Sequence, residues 1–272
     1  MTSAFSLTDI AREVKAAQDN AQQFQPLTTR YPGLDVPAAY AVANLIHEMR
    51  LAEGAVPVGR KIGFTNPDMW ARYGVQEPIW AYVYDTTVAR LKAGHGQCRL
   101  NRFTEPKIEP EIIFHFHASP PVDAGLEAIL ASIDWVAHGF EIVQSHCPGW
   151  QFKAADTIAD WALHGTLLIG EPQPVSRFDT DLIATLETFA INLCCNNAVR
   201  EVGRGSNVLG SPLAAIAHLI AVLATQPQYQ PLQADEIVTT GTITTAQAVN
   251  AGETWGTTLS GINLPGVTVE FT

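Results

Sequence analysis

Cysteine is scarce in this chain. Its 272 residues include four, Cys98, Cys147, Cys194 and Cys195, and none stands in a CxxC pair or at zinc-like spacing to a histidine. That excludes a disulfide-stapled scaffold and a structural zinc site. Cys194 and Cys195 are direct neighbours, which rarely bridge without strain. All four are read as reduced, and the compartment as cytoplasmic. Positive charge is scarce too: 16 Lys and Arg stand against 27 Asp and Glu, a net charge of −11. A nucleic acid or an anionic membrane would ask for the opposite balance. No apolar run is read as a membrane span. The first residues, Met1 to Asp9, lack the basic-then-apolar order of a signal peptide. There is no internal repeat and no low-complexity tract. Gly203-Arg204-Gly205-Ser206 with Gly210 lacks the spacing of a dinucleotide loop, and a turn before the helix at Ser211 accounts for it. No Ser-His-Asp or Cys-His constellation can be assembled from spacing.

What is present begins with apolar residues, 47% of the chain, enough for a large core. Helical patterns come first. Residues 6–24 have Ser6 or Thr8 as cap. Residues 35–53 are capped by Asp35, carry Pro37 in the first turn, and bear an apolar stripe of Tyr40, Ala43, Leu45 and Ile46. Strand patterns follow at 58–64, 78–88, 107–117, 139–144, 166–169, 186–193, 237–240, 254–259 and 267–271. Helices are expected at 125–137, 156–163 and from Ser211, where Pro212 occupies the first helical position. The order predicts an α+β fold with a small helical part over 1–57 and a β-rich body over 58–272.

Chemistry centres on Glu109-Pro110-Glu111 within the alternating run from Lys107 to Phe116. Two acids two residues apart on a strand share a face, with Ile108, Ile112, Phe114 and Phe116 on the other. The acids are either hydrated at the surface or relieved of their repulsion by a hard cation such as magnesium. Glu141, in Gly139-Phe140-Glu141-Ile142-Val143, is an acid among apolar residues. It lies at an edge or is neutralised, and it would complete a three-carboxylate site. Lys61, in Gly59-Arg60-Lys61-Ile62-Gly63-Phe64-Thr65, is either a surface strand lysine or a cleft group. In a cleft it would pair with a substrate carboxylate, or act as an acid if its pKa is lowered. Asp156 and Asp160 are four apart on one helical face. They are a solvated face with a cap, or site residues facing Lys153 or Lys61. His115 and His117 share the face of the two glutamates but lie farther along the strand. His138, His146, His164 and His218 are scattered.

Taken in order, these segments resemble one family. They are Gly59-Arg60-Lys61-Ile62-Gly63-Phe64-Thr65; Gly74-Val75 with Pro78; Pro106-Lys107-Ile108-Glu109-Pro110-Glu111-Ile112; Phe140-Glu141-Ile142-Val143; Asp156-Thr157-Ile158-Ala159-Asp160; Arg204-Gly205-Ser206 with Leu209-Gly210 and Pro212-Leu213; and Thr240-Gly241 with Val249-Asn250-Ala251-Gly252. The pattern, over residues 35–271, is similar to the 2-oxopent-4-enoate hydratase and 4-oxalocrotonate decarboxylase family of the fumarylacetoacetate hydrolase superfamily.

The resemblance implies a mixed β-roll and a magnesium or manganese ion held at Glu109, Glu111 and Glu141, with Lys61 as catalytic residue. It implies a short 2-oxo or 2-hydroxydienoic acid as substrate, with Thr65, Asp156, Asp160 and Thr242 as pocket residues. Hydration is the leading expectation. Decarboxylation of a 2-oxo diacid, C–C hydrolysis of a β-diketo acid, and a non-catalytic partner subunit are the alternatives. A homo-oligomer, with a pathway enzyme as possible partner, is also implied. The chain departs from the hydratase pattern at Ile79, where an aspartate is usual, at Trp161-Ala162-Leu163, where Asn-Ala-Ser is usual, and at Ser211, where a histidine is expected. These departures point to a different substrate or a paralogous reaction.

Overall fold

A computed structural model describes residues 5–67, 70, 75, 77–123, 125–178 and 181–272. Gly74, part of one quoted motif, lies outside the described residues. The strands, in chain order, are β1 Pro57–Gly63, β2 Ile79–Tyr84, β3 Val88–Arg90, β4 His95–Cys98, β5 Lys107–Phe116, β6 Ile133–Val143, β7 His164–Ile169, β8 Gln173–Pro174, β9 Ala190–Cys195, β10 Ala198–Arg204, β11 Ile237–Thr239, β12 Gln247–Ala248, β13 Thr254–Ser260 and β14 Thr268–Phe271. They form two curled sheets. One runs β2-β1-β11-β5-β6-β7-β3, with β12 beside β5 and β8 beside β6, and the other runs β10-β9-β13-β14-β4. Parallel and antiparallel pairs mix, as expected for a β-roll.

Helix starts follow their caps. Ser6 Oγ accepts from Asp9 N and opens Leu7–Asn20. Asp35 accepts from Ala38 N and opens Val36–Ala52. Ser211 accepts from Ala214 N and opens Pro212–Ala224. Each side chain satisfies an amide that has no partner inside its helix. The stretch Gly205–Ala224 is long and apolar enough to cross a membrane by composition, which the reading of short apolar runs did not anticipate. Half of it is buried in the protein, and Leu213, Ile216 and Leu219 pack in the main core.

Three expected elements differ. The helix over 125–137 is cut to Leu126–Leu130, because β6 begins at Ile133 and pairs along the whole of β5. Long-range pairing there overrides local helical spacing. The strand expected from 186 starts at Ala190, because Asp181 caps a helix over Leu182–Thr188. The helix expected over 156–163 ends at Ala159. Trp161, Ala162 and Leu163 then take φ of 55°, 46° and 65°. Left-handed backbone costs roughly 1–2 kcal/mol per residue without glycine, so this turn needs external support. The Trp161 indole donates to Tyr82 O at 2.7 Å, Lys61 Nζ to Ala162 O at 2.9 Å, and Gln144 N to Leu163 O at 2.9 Å.

The N-terminal helices share the main core. Ile10, Val14 and Val42 belong to the same buried cluster as Ile62, Phe114 and Ile216. Phe24 N donates to His146 O, and Thr28 bonds Asp156.

Candidate metal centre and substrate cavity

Strand register assembles the site. Paired residues on adjacent strands project to the same face. Lys61 of β1 pairs Thr239 of β11, Thr239 pairs Ile113 of β5, and Glu109 of β5 pairs Glu141 of β6. Glu109, Glu111 and Ile113 alternate onto that same face. Lys61, Thr239, Glu111, Glu109 and Glu141 therefore face one another, although up to 178 residues separate them.

The three glutamates each offer an oxygen, and these oxygens lie within 4.8 Å of one another. Glu111 and Glu141 have no solvent exposure. Glu111 Oε2 accepts from Gly241 N at 2.9 Å and from the Thr239 hydroxyl, which leaves Glu111 Oε1 without a partner. Glu141 Oε1 accepts from His164 Nδ1 at 2.7 Å. Glu141 Oε2 lies 3.0 Å from Lys61 Nζ in an ion pair, but no donor meets it with hydrogen-bond geometry. Glu111 Oε1 is thus buried with no partner, and Glu141 Oε2 has only the Lys61 ammonium beside it, a costly arrangement unless a cation completes it.

Electrostatics say the same. Burial, then Glu141 and Glu109, push the Glu111 carboxyl well above its ordinary range. Burial, helped by Glu141 and opposed by Lys61, raises Glu109 to about 7. Burial would raise Glu141 too, but Lys61 and His164 outweigh it and hold it low. Burial would lower Lys61, but Glu141, Glu109 and Glu111 together raise it. These carboxylates favour the charged form of Lys61. Three carboxylates against one ammonium leave a net charge of −2 when all are ionised, which a divalent cation neutralises. The all-oxygen donor set is that of a hard ion.

A cavity of about 320 Å³ opens over this cluster. Lys61, Glu109, Thr65, Thr242, Ile79 and Leu163 reach it. Thr65 Oγ1 is buried without a partner. Thr242 Oγ1 is already committed to Thr244 O at 3.0 Å. Gly241 stands between cluster and cavity: its φ is +95°, its N–H holds Glu111, and a Cβ on it would meet Thr65 Oγ1 at 2.0 Å. Only glycine meets both demands.

The structure does not bring Asp156 and Asp160 to the cavity. Asp156 accepts from Thr28 N, Thr28 Oγ1 and Lys153 N at 2.8–2.9 Å, the last as the third-residue partner in the capping box of Ala154–Ala159. Asp160 accepts from His146 Nδ1 at 2.9 Å and Gln18 Nε2 at 3.2 Å. Both carboxylates are consumed in tying the helical segments to the body. Neither Lys153 nor Lys61 provides their counter-charge through its side chain. His115 bonds Asp134 and His117 bonds Ala131 O, away from the glutamates. Trp161 and Leu163 part company. Trp161 lies under Arg50, 4.2 Å from guanidinium to ring, in a separate crevice of about 30 Å³. Leu163 lines the main cavity.

Sequence reasoning missed His164, Thr239 and the Ala162 carbonyl. His164 is 23 residues from Glu141, and no local pattern signals a partner across a sheet.

No family model matches the chain. Among curated proteins it is 31% identical to 2-keto-4-pentenoate hydratase 2 of Dechloromonas aromatica (strain RCB), over 96% of the chain and 97% of that protein. It is 30% identical to 2-keto-4-pentenoate hydratase 1 of the same organism, over 96% and 95%. Among solved structures it resembles 4-oxalocrotonate decarboxylase from Pseudomonas putida G7, complexed with magnesium and adipate. That match has a TM-score of 0.88 at 26% identity and covers 100% of both chains.

Proposed function

Because the chain belongs to the 2-keto-4-pentenoate hydratase family, we propose that it is a divalent-metal-dependent lyase that adds water to a short 2-oxo or 2-hydroxydienoic acid. The observation that carries the reading is the three-glutamate cluster with two unsatisfied oxygens and one ammonium at the floor of a cavity. Glu109, Glu111 and Glu141 would hold magnesium or manganese. Bound there, the ion supplies a Lewis acid that stabilises negative charge developing on a chelating 2-oxo acid.

The protein's own groups do the rest. Gly241 N–H and the Thr239 hydroxyl hold Glu111 by one oxygen, so the other stays available. His164 holds one oxygen of Glu141, whose other oxygen faces Lys61. Lys61 keeps its proton and lends a fixed positive charge that orients the substrate carboxylate. The free Thr65 hydroxyl donates to a substrate oxygen. Ile79 and Leu163 line the cavity beside Lys61, where the substrate's carbon chain would lie. The reading also assigns a cytoplasmic homo-oligomer.

The test is loss of 2-hydroxypenta-2,4-dienoate by the purified chain, with magnesium or manganese added and then removed by chelation. Turnover should depend on the ion and vanish in Glu111→Gln. A Glu111→Gln protein that keeps full turnover after chelation and dialysis sinks the metal assignment. Decarboxylation is the second reading, favoured by the full-length likeness to a decarboxylase structure. Release of carbon dioxide from a 2-oxo diacid would establish it. Turnover by the chain alone would dispose of a purely non-catalytic partner subunit.

A further inference from the structure

The cavity is larger than the head of the substrate requires, and its remaining wall is greasy. A five-carbon keto acid has about eight non-hydrogen atoms. At no more than a water's share of ~30 Å³ each, it leaves a quarter or so of the 320 Å³ unfilled. Polar side chains along the wall are mostly spent. Lys61 is held by Glu141 and Ala162 O. Lys107 sits 3.7 Å from the centre of the Trp150 ring. The hydroxyls of Thr242 and Thr244 go to backbone carbonyls. What is left is hydrocarbon: Ile79, Leu163, Val143, Trp150 and Phe152.

Ile79 is close to the charged head. It pairs Gly63 across β1 and β2, and a Cβ on Gly63 would lie 3.3 Å from Ile79 Cγ1 and 3.7 Å from Lys61 Nζ. Leu163 follows directly on Ala162, whose carbonyl holds the same ammonium. A chain extending from a head bound at Lys61 and the glutamates therefore runs first against Ile79 and Leu163. A second carboxylate placed there would lose its hydration and meet no unengaged cation among the described residues.

On these grounds, and resting on the 2-oxo acid reading above, we propose that Ile79 and Leu163 determine specificity, selecting a 2-oxo monocarboxylic acid with a hydrocarbon tail longer than a vinyl group and rejecting the corresponding diacid. The hydrocarbon wall discriminates by burying added methylenes, each worth tenfold or more in a well-fitted pocket.

Equilibrium binding to the magnesium-loaded chain tests this without turnover, by calorimetry with pyruvate, 2-oxopentanoate, 2-oxohexanoate and 2-oxoadipate. Affinity should climb about a hundredfold from pyruvate to 2-oxopentanoate, which adds two methylenes, and about tenfold more to 2-oxohexanoate, which adds one. 2-Oxoadipate should bind at least tenfold more weakly than 2-oxohexanoate. Ile79→Ala, and separately Leu163→Asn, which suits the positive φ of that position, should each shrink the ratio of 2-oxohexanoate to pyruvate affinity. If pyruvate binds and the tail adds nothing, or 2-oxoadipate binds as well as 2-oxohexanoate, the specificity claim falls while the 2-oxo acid reading stands. If pyruvate itself does not bind in the presence of magnesium, both fall.

Discussion

Replacing Lys61 by methionine keeps the length of the side chain and removes its charge. In the metal-free protein that charge faces two fully buried glutamates, Glu111 and Glu141, and the half-buried Glu109. Nζ lies 3.0 Å from Glu141 Oε2, and Lys61 is 2% exposed. At an effective dielectric of ~20, the attraction is about 5 kcal/mol. Breaking a buried pair by deleting one partner typically costs ~3–5 kcal/mol, because the other charge remains. For a chain of this size each kcal/mol moves the melting temperature by ~2–4 °C. Lys61→Met should therefore melt ~10 °C lower in chelator at pH 7. The loss should grow with pH, because the orphaned carboxylates relieve themselves by taking up protons at lower pH. Magnesium should recover part of it. Turnover with magnesium should fall at least a hundredfold, since a fixed charge at the reacting end is gone. Thermal melts with and without chelator, beside initial rates, read both effects. A variant that melts within a degree or two of the parent in chelator would refute the charge balance argued for the cluster.

Three other expectations follow from the same site. Thr65→Val preserves shape and deletes a hydroxyl that has no partner; stability should hold or rise by ~1 kcal/mol in a denaturant melt, while kcat/KM falls at least tenfold. Gly241→Ala sets a Cβ 2.0 Å from Thr65 Oγ1 on a backbone at φ +95°; it should cost more than ~2 kcal/mol in the same melt and weaken magnesium binding, because the Glu111 clamp shifts. His138 is buried between Glu111 O, which accepts a hydrogen bond from Nδ1–H, and Thr257 Oγ1, and burial pushes its pKa down to about 4. The unfolded chain takes up that proton near 6.5, so its contribution to stability is complete above 6.5 and is lost as pH falls toward 4, by up to ~3 kcal/mol. His138→Gln should flatten that part of the stability–pH curve, and an unchanged slope would count against the assignment.

Residues that act through their immediate neighbours were legible in the sequence. Ser6, Asp35 and Ser211 cap helices because a side-chain oxygen three residues upstream is all that a free amide needs. Glu109 and Glu111 share a face because strands alternate. Asp156 illustrates the limit. It was readable as a cap or as a site residue; its bond from Lys153 N makes it part of a capping box, and Thr28 takes its remaining capacity. The helical spacing of Leu126, Ile129, Leu130 and Ile133 misled because Ile133 already belongs to a strand paired with β5.

The sequence by itself determined the identity of the acids, the lysine and the glycine turns, and with them the family, because those depend on residue type and order. Tertiary structure alone decided that Glu141 lands opposite Glu109, that His164 and Gly241 hold the carboxylates, and that Leu163 enters the cavity while Trp161 turns away. Strand register and a left-handed turn set those outcomes. Both are fixed by contacts between segments far apart in the chain, whose energies no local window of residues contains.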